Sequence, residues 1–502
     1  MTDAVTPPGH DPDLAHLGRV PHRIAASVMT NGTAGLLVAV LGAIAVRLMT
    51  TRLGPSHYGQ FVTSLTVVTT SMLLTDIGVT ALTGREIARH PERAPTLLGE
   101  NLGLRLTLSA IVIPITVVAS GLLYGIDAPT ITLATAICAV AIPFDAARAV
   151  SSGYFLASIR NYLMAPIGIL QQLCYVGGVA LAVAQGWGVA GCAAAYTFGT
   201  MVGGITTTAL VRREVPFRPR FKPSTWRVIL ASSISLGAIQ VINVAYLKAD
   251  TLLLSGLGSH RQVGLYGVTY AIVMVFLAVP ALLTQSLLPV LTKQIGPALD
   301  RTVEQALRLL AAVAVLVICG TELLAPAAIR LLAGPNFSAA TASLRVLVLS
   351  CLASYLARVL GVAAVAHHRH QRMIWVSLFG LIGNVALNLW MIPAYGTVGA
   401  ALATVCSETF MLAGIATVAR KDLGLGVSWS KVLWRPILAG ALVTGIGALA
   451  LPLGPTAPMS TLLAAPIIVL AYLVVLLLFG GLPPELRRFL PSEARRRAEP
   501  QR

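Results

Sequence analysis

The chain has 502 residues, of which 56% are hydrophobic and 11% are charged. This composition excludes an ordinary soluble domain, because so few charged side chains cannot cover the water-facing surface of a chain this long. The net charge of +17 would suit a nucleic-acid-binding protein, but the basic residues are spread over short connections between apolar runs. Membrane orientation and attraction to anionic lipid explain that distribution, so we expect no nucleic-acid partner.

Continuous apolar runs predict an all-α polytopic membrane protein with about fourteen transmembrane helices. Each run approaches the ~20 residues that cross the hydrocarbon core as a helix, and a helix leaves no backbone group unpaired in lipid. In chain order, the predicted helices are residues 26–50, 60–82, 103–124, 130–150, 161–184, 189–210, 227–248, 262–290, 304–329, 339–366, 373–393, 397–419, 435–453 and 460–480.

The Lys and Arg residues indicate how these helices are oriented. Most of them lie in the two tails or in every second connection, whereas the other connections are poor in positive charge. Connections without any Lys or Arg are 124–130, 185–188, 393–398 and 452–459. Because positive residues beside short loops stay on the cytoplasmic side, we expect a multi-pass protein of the cytoplasmic membrane with both termini in the cytoplasm.

The cysteines and histidines do not indicate a metal centre. The six cysteines lie inside apolar runs without CxxC spacing, and the run His367-His-Arg-His370 has no Cys or acidic residue beside it. Zinc sites normally need such a set of ligands at close spacing. We therefore expect no metal, no cofactor and no disulfide framework.

The two halves of the chain repeat one another at a constant offset. Tyr58 recurs as Tyr266 (266 − 58 = 208) and Gly188 recurs as Gly396 (396 − 188 = 208). This offset spans six predicted helices, an even number, so both copies cross the membrane in the same direction. Parallel repeats of this kind are typical of transporters whose two halves rock around a central site.

The repeat defines the predicted domain organisation. Two parallel six-helix repeats form an N-lobe and a C-lobe around a central cavity, and a C-terminal helix pair lies outside the duplication. The predicted segments are a disordered cytoplasmic tail at 1–24, the N-lobe with helices 1–6 at 25–212, a basic cytoplasmic linker at 213–226, the C-lobe with helices 7–12 at 227–420, helices 13–14 at 430–481 and a basic cytoplasmic tail at 482–502.

Several motifs carry a family resemblance. The stretch from Asn384 through Pro393 and Gly396 to Glu408 looks like the signature of polysaccharide-type lipid-linked oligosaccharide flippases. This family belongs to the superfamily that also contains the multidrug and toxic-compound exporters and the peptidoglycan-precursor flippases. Further motifs similar to those of the family are Leu53-Gly54-Pro55-Ser-His-Tyr58-Gly59, Asp76-Ile-Gly78, Arg85-Glu86-Ile-Ala, Gly264-Leu-Tyr266, Gly334-Pro-Asn-Phe337 and Leu344-Arg345.

The resemblance implies a flippase that moves a polyprenyl-diphosphate-linked oligosaccharide from the cytoplasmic to the outer leaflet by alternating access, for surface polysaccharide biosynthesis. The alternatives that stay open are a cation-coupled multidrug exporter, a peptidoglycan-precursor flippase, a membrane polysaccharide polymerase or ligase, and a non-transporting scaffold. A polymerase would be an enzyme with a large outer loop, whereas the connections here are short. We therefore expect that the protein is not an enzyme. We also expect a monomer whose partners are the lipid-linked oligosaccharide, membrane lipids and a polysaccharide polymerase or glycosyltransferases.

Polar residues inside the predicted helices are the candidates for substrate binding. Arg47, Arg52 and Lys248 lie near the ends of helices one and seven, which line the cleft in the fold that the resemblance implies. Arginine suits a diphosphate because its planar fork matches phosphate oxygens, although such side chains also snorkel to the interface. Asn384 and Asn388 lie one turn apart on helix eleven and would bind sugar or tie helices together.

Acidic residues inside the predicted helices are the candidates for ion coupling. Asp250, Glu322 and Glu408 would each bind H⁺ or Na⁺, or form a structural pair within the bundle. Arg148 and Arg358 hold comparable places in helices four and ten. They are predicted to lie at the cytoplasmic mouth, where they guard it or contact lipid.

Overall fold

The computed structural model describes residues 20–76, 78–125, 128–158, 160–367, 370–450 and 464–480. The predicted tail at 482–502 and most of the tail at 1–24 lie outside these residues, and the first helix already begins at Val20. Within the described residues the regular structure is helical, with no strand. The all-α prediction is therefore confirmed.

Fourteen helices, α1 to α14, follow the predicted order over the described residues. Val20–Asp76 bends at Gly54 into α1 (20–53) and α2 (55–76), and α2 resumes after Gly78 as Val79–Arg89. His370–Leu423 bends at Gly396 into α11 (370–395) and α12 (397–423). The other helices are α3 Ala94–Tyr124, α4 Pro129–Ala139 with Ile142–Ala157, α5 Met164–Ala184, α6 Gly188–Glu214, α7 Pro223–Leu257, α8 His260–Leu291, α9 Pro297–Ala333, α10 Ala340–Val348 with Ser350–Ala366, α13 Trp429–Ala450 and α14 Ala465–Leu478.

The helices are those of a multi-pass membrane protein. Ten stretches of the described residues are long and apolar enough to cross a membrane, and two of them, Thr33–Arg89 and Arg372–Leu423, each contain a kinked pair of helices. Many large apolar side chains of these stretches are exposed, among them Leu122 and Ile446. Such exposure is expected where hydrocarbon rather than water surrounds the bundle.

The internal repeat is also visible in the backbone. Helix α4 is interrupted at residues 140–141 and α10 at residue 349, and 349 − 141 = 208. Gly188 and Gly396 both have positive φ, 61° and 55°, at the corresponding passages from α5 to α6 and from α11 to α12. Positive φ strains residues with a Cβ, so the repeated glycines are explained by the repeated geometry.

Helices α1 to α6 form the first lobe and α7 to α12 the second. The end of the bundle that carries the α1–α2 connection is called the Gly54 end, and the opposite end, where α6 passes to α7, is called the linker end. At the Gly54 end α2 crosses α8 so closely that a Cβ on Gly59 would lie 1.8 Å from the His260 carbonyl oxygen, and one on Gly264 would lie 2.0 Å from that of Pro55. The two backbones therefore touch.

Further contacts join the lobes at both ends. At the Gly54 end the Tyr124 hydroxyl lies 2.7 Å from the Ser255 hydroxyl in a buried hydrogen bond between α3 and α7. Towards the linker end, a Cβ on Gly78 would lie 2.6 Å from the backbone nitrogen of Gly237 in α7. The central cavity that the sequence predicts would thus lie between two zones of direct contact.

The last two helices pack on the outside of α9. The Tyr472 hydroxyl of α14 donates to the Ala312 carbonyl oxygen at 3.0 Å. A Cβ on Gly440 in α13 would lie 2.4 Å from a methyl group of Val315. This attachment agrees with the predicted appended pair.

The connection between the lobes is shorter than the predicted linker. The sequence places a linker at 213–226, but α6 continues to Glu214 and α7 begins at Pro223. Residues 215–222, here called the strap, have no regular structure. The strap is bound to α3, because the Arg220 amide donates to the Gly99 carbonyl oxygen at 2.8 Å.

Candidate functional site

A buried carboxylate lies at the junction of four helices in the second lobe. Asp250 of α7 is 4% exposed. Its Oδ2 accepts hydrogen bonds from the hydroxyls of Tyr266 in α8 at 2.9 Å and Thr404 in α12 at 2.5 Å. Its Oδ1 accepts one from Nδ2 of Asn388 in α11 at 2.7 Å. Together with Asn384 and Ser407, these four residues are called the Asp250 cluster.

Two asparagines extend the cluster along α11. Asn388 Nδ2 also donates to the backbone oxygen of Asn384 at 2.9 Å and to its Oδ1 at 3.1 Å. Asn384 Nδ2 donates to the Ser407 hydroxyl of α12 at 3.2 Å. The buried Oδ1 of Asn388, however, has no hydrogen-bond partner. A buried polar atom of this kind costs free energy unless something else satisfies it.

Helical spacing explains why these side chains meet. Asn384 and Asn388 are four residues apart on α11, and Thr404 and Ser407 are three apart on α12, so each pair shares one face of its helix. Tyr266 and Tyr270 are four apart on α8, with stacked rings whose centroids lie 6.3 Å apart. The four helices therefore present polar faces to one another within an otherwise apolar bundle.

The Asp250 carboxyl has no ion-pair partner in the cluster. Among the described residues, none of the ion pairs includes Asp250. Lys248 is two residues away on α7, but its Nζ lies over the Tyr270 ring, 6.0 Å from the centroid. A buried ionised carboxylate without a counter-charge is costly in a membrane bundle. The arrangement can lower that cost by taking up a proton or by binding a cation.

The second predicted acid of this lobe, Glu408, faces a different set of groups. Its carboxyl interacts with the Ser354 hydroxyl, and the Arg358 guanidinium is near enough to interact with it electrostatically. The nearby Tyr246 hydroxyl is buried without a hydrogen-bond partner among the described residues. Arg358 itself is exposed. Asp250 also acts on Glu408 electrostatically, so the two acids belong to one polar region that crosses α7, α10 and α12.

The other predicted charges form local pairs. Glu322 of α9 lies 3.7 Å from the Arg345 guanidinium of α10, which also donates to the Glu322 carbonyl oxygen at 3.2 Å. Arg148 forms an ion pair with Asp145 at 2.6 Å. Because α4 continues to Ala157, Arg148 lies within the helix and not at its end.

The three predicted cations are not brought together. Arg47 of α1 is exposed, and its Nη1 donates to the Arg330 carbonyl oxygen of α9 at 3.2 Å. Arg52 is exposed, and none of the ion pairs found among the described residues includes it. Lys248 lies beside the Asp250 cluster, in the other lobe. The assignment of these three residues to one substrate site stays a prediction.

Sequence reasoning missed a buried arginine in the first lobe. Arg105 of α3 is 1% exposed. It contacts Thr80 at 2.9 Å, Asp76 at 3.4 Å and Thr75 at 3.5 Å, while its Nε is buried without a partner. Asp76 also accepts from the Thr80 amide at 3.0 Å and so holds the break in α2 at Gly78. The sequence signal for this pair was Arg105 at the edge of an apolar run, together with Asp76 late in the preceding helix.

The described residues thus form two six-helix lobes and an appended helix pair, with a buried polar cluster in the second lobe. A family described as "Polysaccharide biosynthesis protein" matches residues 24–294, more than half of the chain. The chain belongs to this polysaccharide biosynthesis protein family. No curated protein matches it in sequence.

Solved structures share the fold at low sequence identity. A lipid II flippase, MurJ, in an inward closed conformation has a TM-score of 0.74 at 12% identity, with 89% of this chain and 98% of that chain covered. A multidrug resistance MATE transporter in an inward-facing conformation has a TM-score of 0.64 at 14% identity, covering 79% and 98%. A transporter of the same superfamily from Pyrococcus furiosus has a TM-score of 0.59 at 16% identity, covering 81% and 96%.

Proposed function

We propose that this protein is a flippase that carries a polyprenyl-diphosphate-linked oligosaccharide from the cytoplasmic to the outer leaflet by alternating access of its two lobes. The observation that carries the proposal is that a chain of a polysaccharide biosynthesis family has, over 89% of its length, the fold of a lipid flippase. The protein would act as a transporter and not as an enzyme.

The physical need for such a carrier is clear. A sugar chain on a diphosphate cannot cross hydrocarbon alone, because many hydroxyls and about two negative charges would lose their water. Two lobes that part at one end and then at the other would give the head group a wet path while the polyprenyl tail stays in lipid. Because the cell interior is negative, the membrane potential favours export of each negative charge by about 2.3 kcal/mol per 100 mV.

Charge distribution supports an orientation with the linker end in the cytoplasm. The connections at that end carry groups of basic residues, including Arg89 and Arg93 between α2 and α3, and Arg212 and Arg213 at the end of α6. The Gly54 end would then face outwards. Arg47, Arg52 and Lys248 would meet the diphosphate when the lobes separate there.

The Asp250 cluster is proposed as the site of cation coupling. Oxygens lie 2.7, 2.9 and 3.1 Å from Asn388 Nδ2. Rotation of this amide by half a turn would place its unpaired oxygen among them, and hard cations are bound by such oxygen sets. Na⁺ or H⁺ would neutralise Asp250 in one state of the carrier. The hydrogen bonds that Asp250 accepts from α8, α11 and α12 would then couple its occupancy to the positions of these three helices.

A deletion strain and reconstituted protein together test the function. The strain should accumulate a lipid-linked oligosaccharide whose sugar is protected from impermeant reagents outside the cell. Purified protein in liposomes should make that same lipid accessible to an impermeant lectin. Accumulation of a peptidoglycan precursor instead would favour the rival flippase, and transport of organic cations without lipid translocation would favour the exporter. Co-purification with a polysaccharide polymerase or glycosyltransferase would test the expected partners.

The coupling is tested separately in the same liposomes. Transport driven by a Na⁺ gradient or by a pH gradient, with choline as the replacement cation, would identify the ion. Equal rates with no gradient of either ion, at constant membrane potential, would remove the coupling role of Asp250 and leave the flippase assignment intact.

A further inference from the structure

We propose that the linker end of the first lobe contains a specific site for an anionic phospholipid, formed by the strap, α3, α4 and α6. A cavity of about 570 Å³ lies between α3 and α6 over the face of α4. The apolar side chains that line it include Leu102, Leu106, Phe144 and Ile205. This site is independent of the flippase assignment and of the contact between the lobes.

The cavity adjoins a group of arginines. Arg212 and Arg213, in the last turn of α6, line the first cavity, and Arg212 also lines a second one of about 520 Å³ together with Arg218 and Arg220 of the strap. An apolar slot with two arginines at its end, and two more around the adjoining cavity, matches a lipid with acyl chains at one end and a phosphate at the other.

Three of these arginines are free of ion pairs within the described part of the chain, whereas the Arg220 guanidinium donates to the Thr96 hydroxyl at 3.2 Å. Among the residues that the structure describes, no ion pair includes Arg212, Arg213 or Arg218. Glu214, the acid that follows Arg213 in the chain, pairs with Arg160 at 3.0 Å. Arg212 is placed by Phe217, since its guanidinium carbon lies 5.3 Å from that ring centroid. Mutual repulsion of such unpaired cations is relieved by a bound phosphate.

Close packing of the strap against α3 fixes the position of its arginines. Phe217 is 4% exposed and packs into the same apolar cluster as Leu98 and Leu102 of α3. Its backbone passes so close to α3 that a Cβ on Gly99 would lie 2.5 Å from the Arg218 carbonyl oxygen, and one on Gly103 would lie 2.2 Å from that of Arg220. A loop needed only for its positive charge would not require two glycines beneath it.

The occupant is an anionic glycerophospholipid and not a protein segment. The apolar wall belongs to helices that cross the membrane, and Ile205 beside it is 53% exposed. Acyl chains of the surrounding lipid can therefore reach the cavity directly. The basic rim selects among lipids by the charge of the head group. Phosphatidylglycerol would bind, whereas zwitterionic phosphatidylcholine would lack the net charge that four arginines favour.

Native mass spectrometry of the delipidated full-length protein, titrated with phosphatidylglycerol or phosphatidylcholine, tests the site. We expect about tenfold tighter binding of phosphatidylglycerol, and a loss of about tenfold in the variants Arg212→Gln and Arg218→Gln, as for a lost charge-assisted contact. Arg93→Gln is the matched control, because Arg93 is exposed at the same end but does not line either cavity. It should bind phosphatidylglycerol like the wild type.

A second variant tests the apolar part. Ala209 lines the cavity and is exposed, so Ala209→Trp should fill the slot without overpacking the core and should weaken binding of both lipids. Equal binding of the two lipids by the wild type would overturn the proposal, even if a variant did not fold. An effect of Arg93→Gln as large as that of Arg212→Gln would reduce the site to general charge. Displacement by polyprenyl diphosphate at a tenfold lower concentration would reassign the site to the transported substrate.

Discussion

Replacement of Gly59 by alanine should force the two lobes apart at the Gly54 end. The added Cβ would lie 1.8 Å from the His260 carbonyl oxygen, whereas a comfortable C···O approach is about 3.3 Å. The difference, 3.3 − 1.8, requires α2 and α8 to separate by about 1.5 Å. The obstacle is backbone and cannot rotate away, so we expect a cost of about 1–3 kcal/mol to the closed arrangement. A cost of that size shifts a two-state equilibrium by about 5- to 150-fold.

The assay is the distance between spin labels on Ser56 of α2 and Arg261 of α8, both exposed, after the exposed Cys406 is replaced by serine. Gly59→Ala should add or enlarge a population with a longer label distance, and should alter the transport rate. Gly256→Ala is the matched control, because a Cβ there meets nothing within 4 Å. If Gly59→Ala and Gly256→Ala gave the same distance distribution as the parent, the α2–α8 contact would not control the opening of this end.

Three further predictions concern the polar clusters and the kinks. Asp250→Asn should leave the protein folded but reduce transport at least tenfold and abolish its response to a cation gradient, as measured in liposomes; a variant that still follows the gradient contradicts the coupling role. Arg105→Gln should lower the free energy of unfolding by about 3 kcal/mol, since it breaks a buried pair. A double-mutant cycle with Asp76→Asn should show that the two side chains are energetically coupled. Strict additivity of the two substitutions would mean that the 3.4 Å contact between Arg105 and Asp76 does not contribute to stability. Gly396→Ala should cost about 1–2 kcal/mol for its left-handed φ, visible as a lower Tm, whereas Gly383→Ala, with open space around it, should not; equal Tm values would refute the strain.

Much of the fold follows from the sequence because the membrane imposes a strong rule. Every backbone N–H and C=O group in the hydrocarbon must be hydrogen-bonded within the protein, so apolar runs of the right length form transmembrane helices. The glycine repeat at an offset of 208 identified the correct passages, since only a few residues tolerate the positive φ found at Gly188 and Gly396. The interruption of α10 was not foreseen, because Leu349 is compatible with an unbroken helix, whereas the interruption of α4 closely precedes Pro143.

The candidate site could be predicted only in part. The spacing of Asn384 and Asn388 placed them on one face of α11, but the partners Tyr266 and Thr404 lie far away in the chain and become neighbours only through packing. The strap was predicted only as part of a basic cytoplasmic linker, because its charges are obvious in the sequence. The close approach that Gly99 permits to its backbone depends on how α3 and the strap meet in space.

The attachment of the strap also limits how the lobes can move. Arg220 is bound to Gly99 through its amide, and α7 begins at Pro223, so only Phe221 and Lys222 lie between a fixed point on the first lobe and the start of the second. Three residue steps reach at most about 11 Å. Any rocking of the lobes must therefore be a rotation about this corner, with the largest displacements at the points farthest from it.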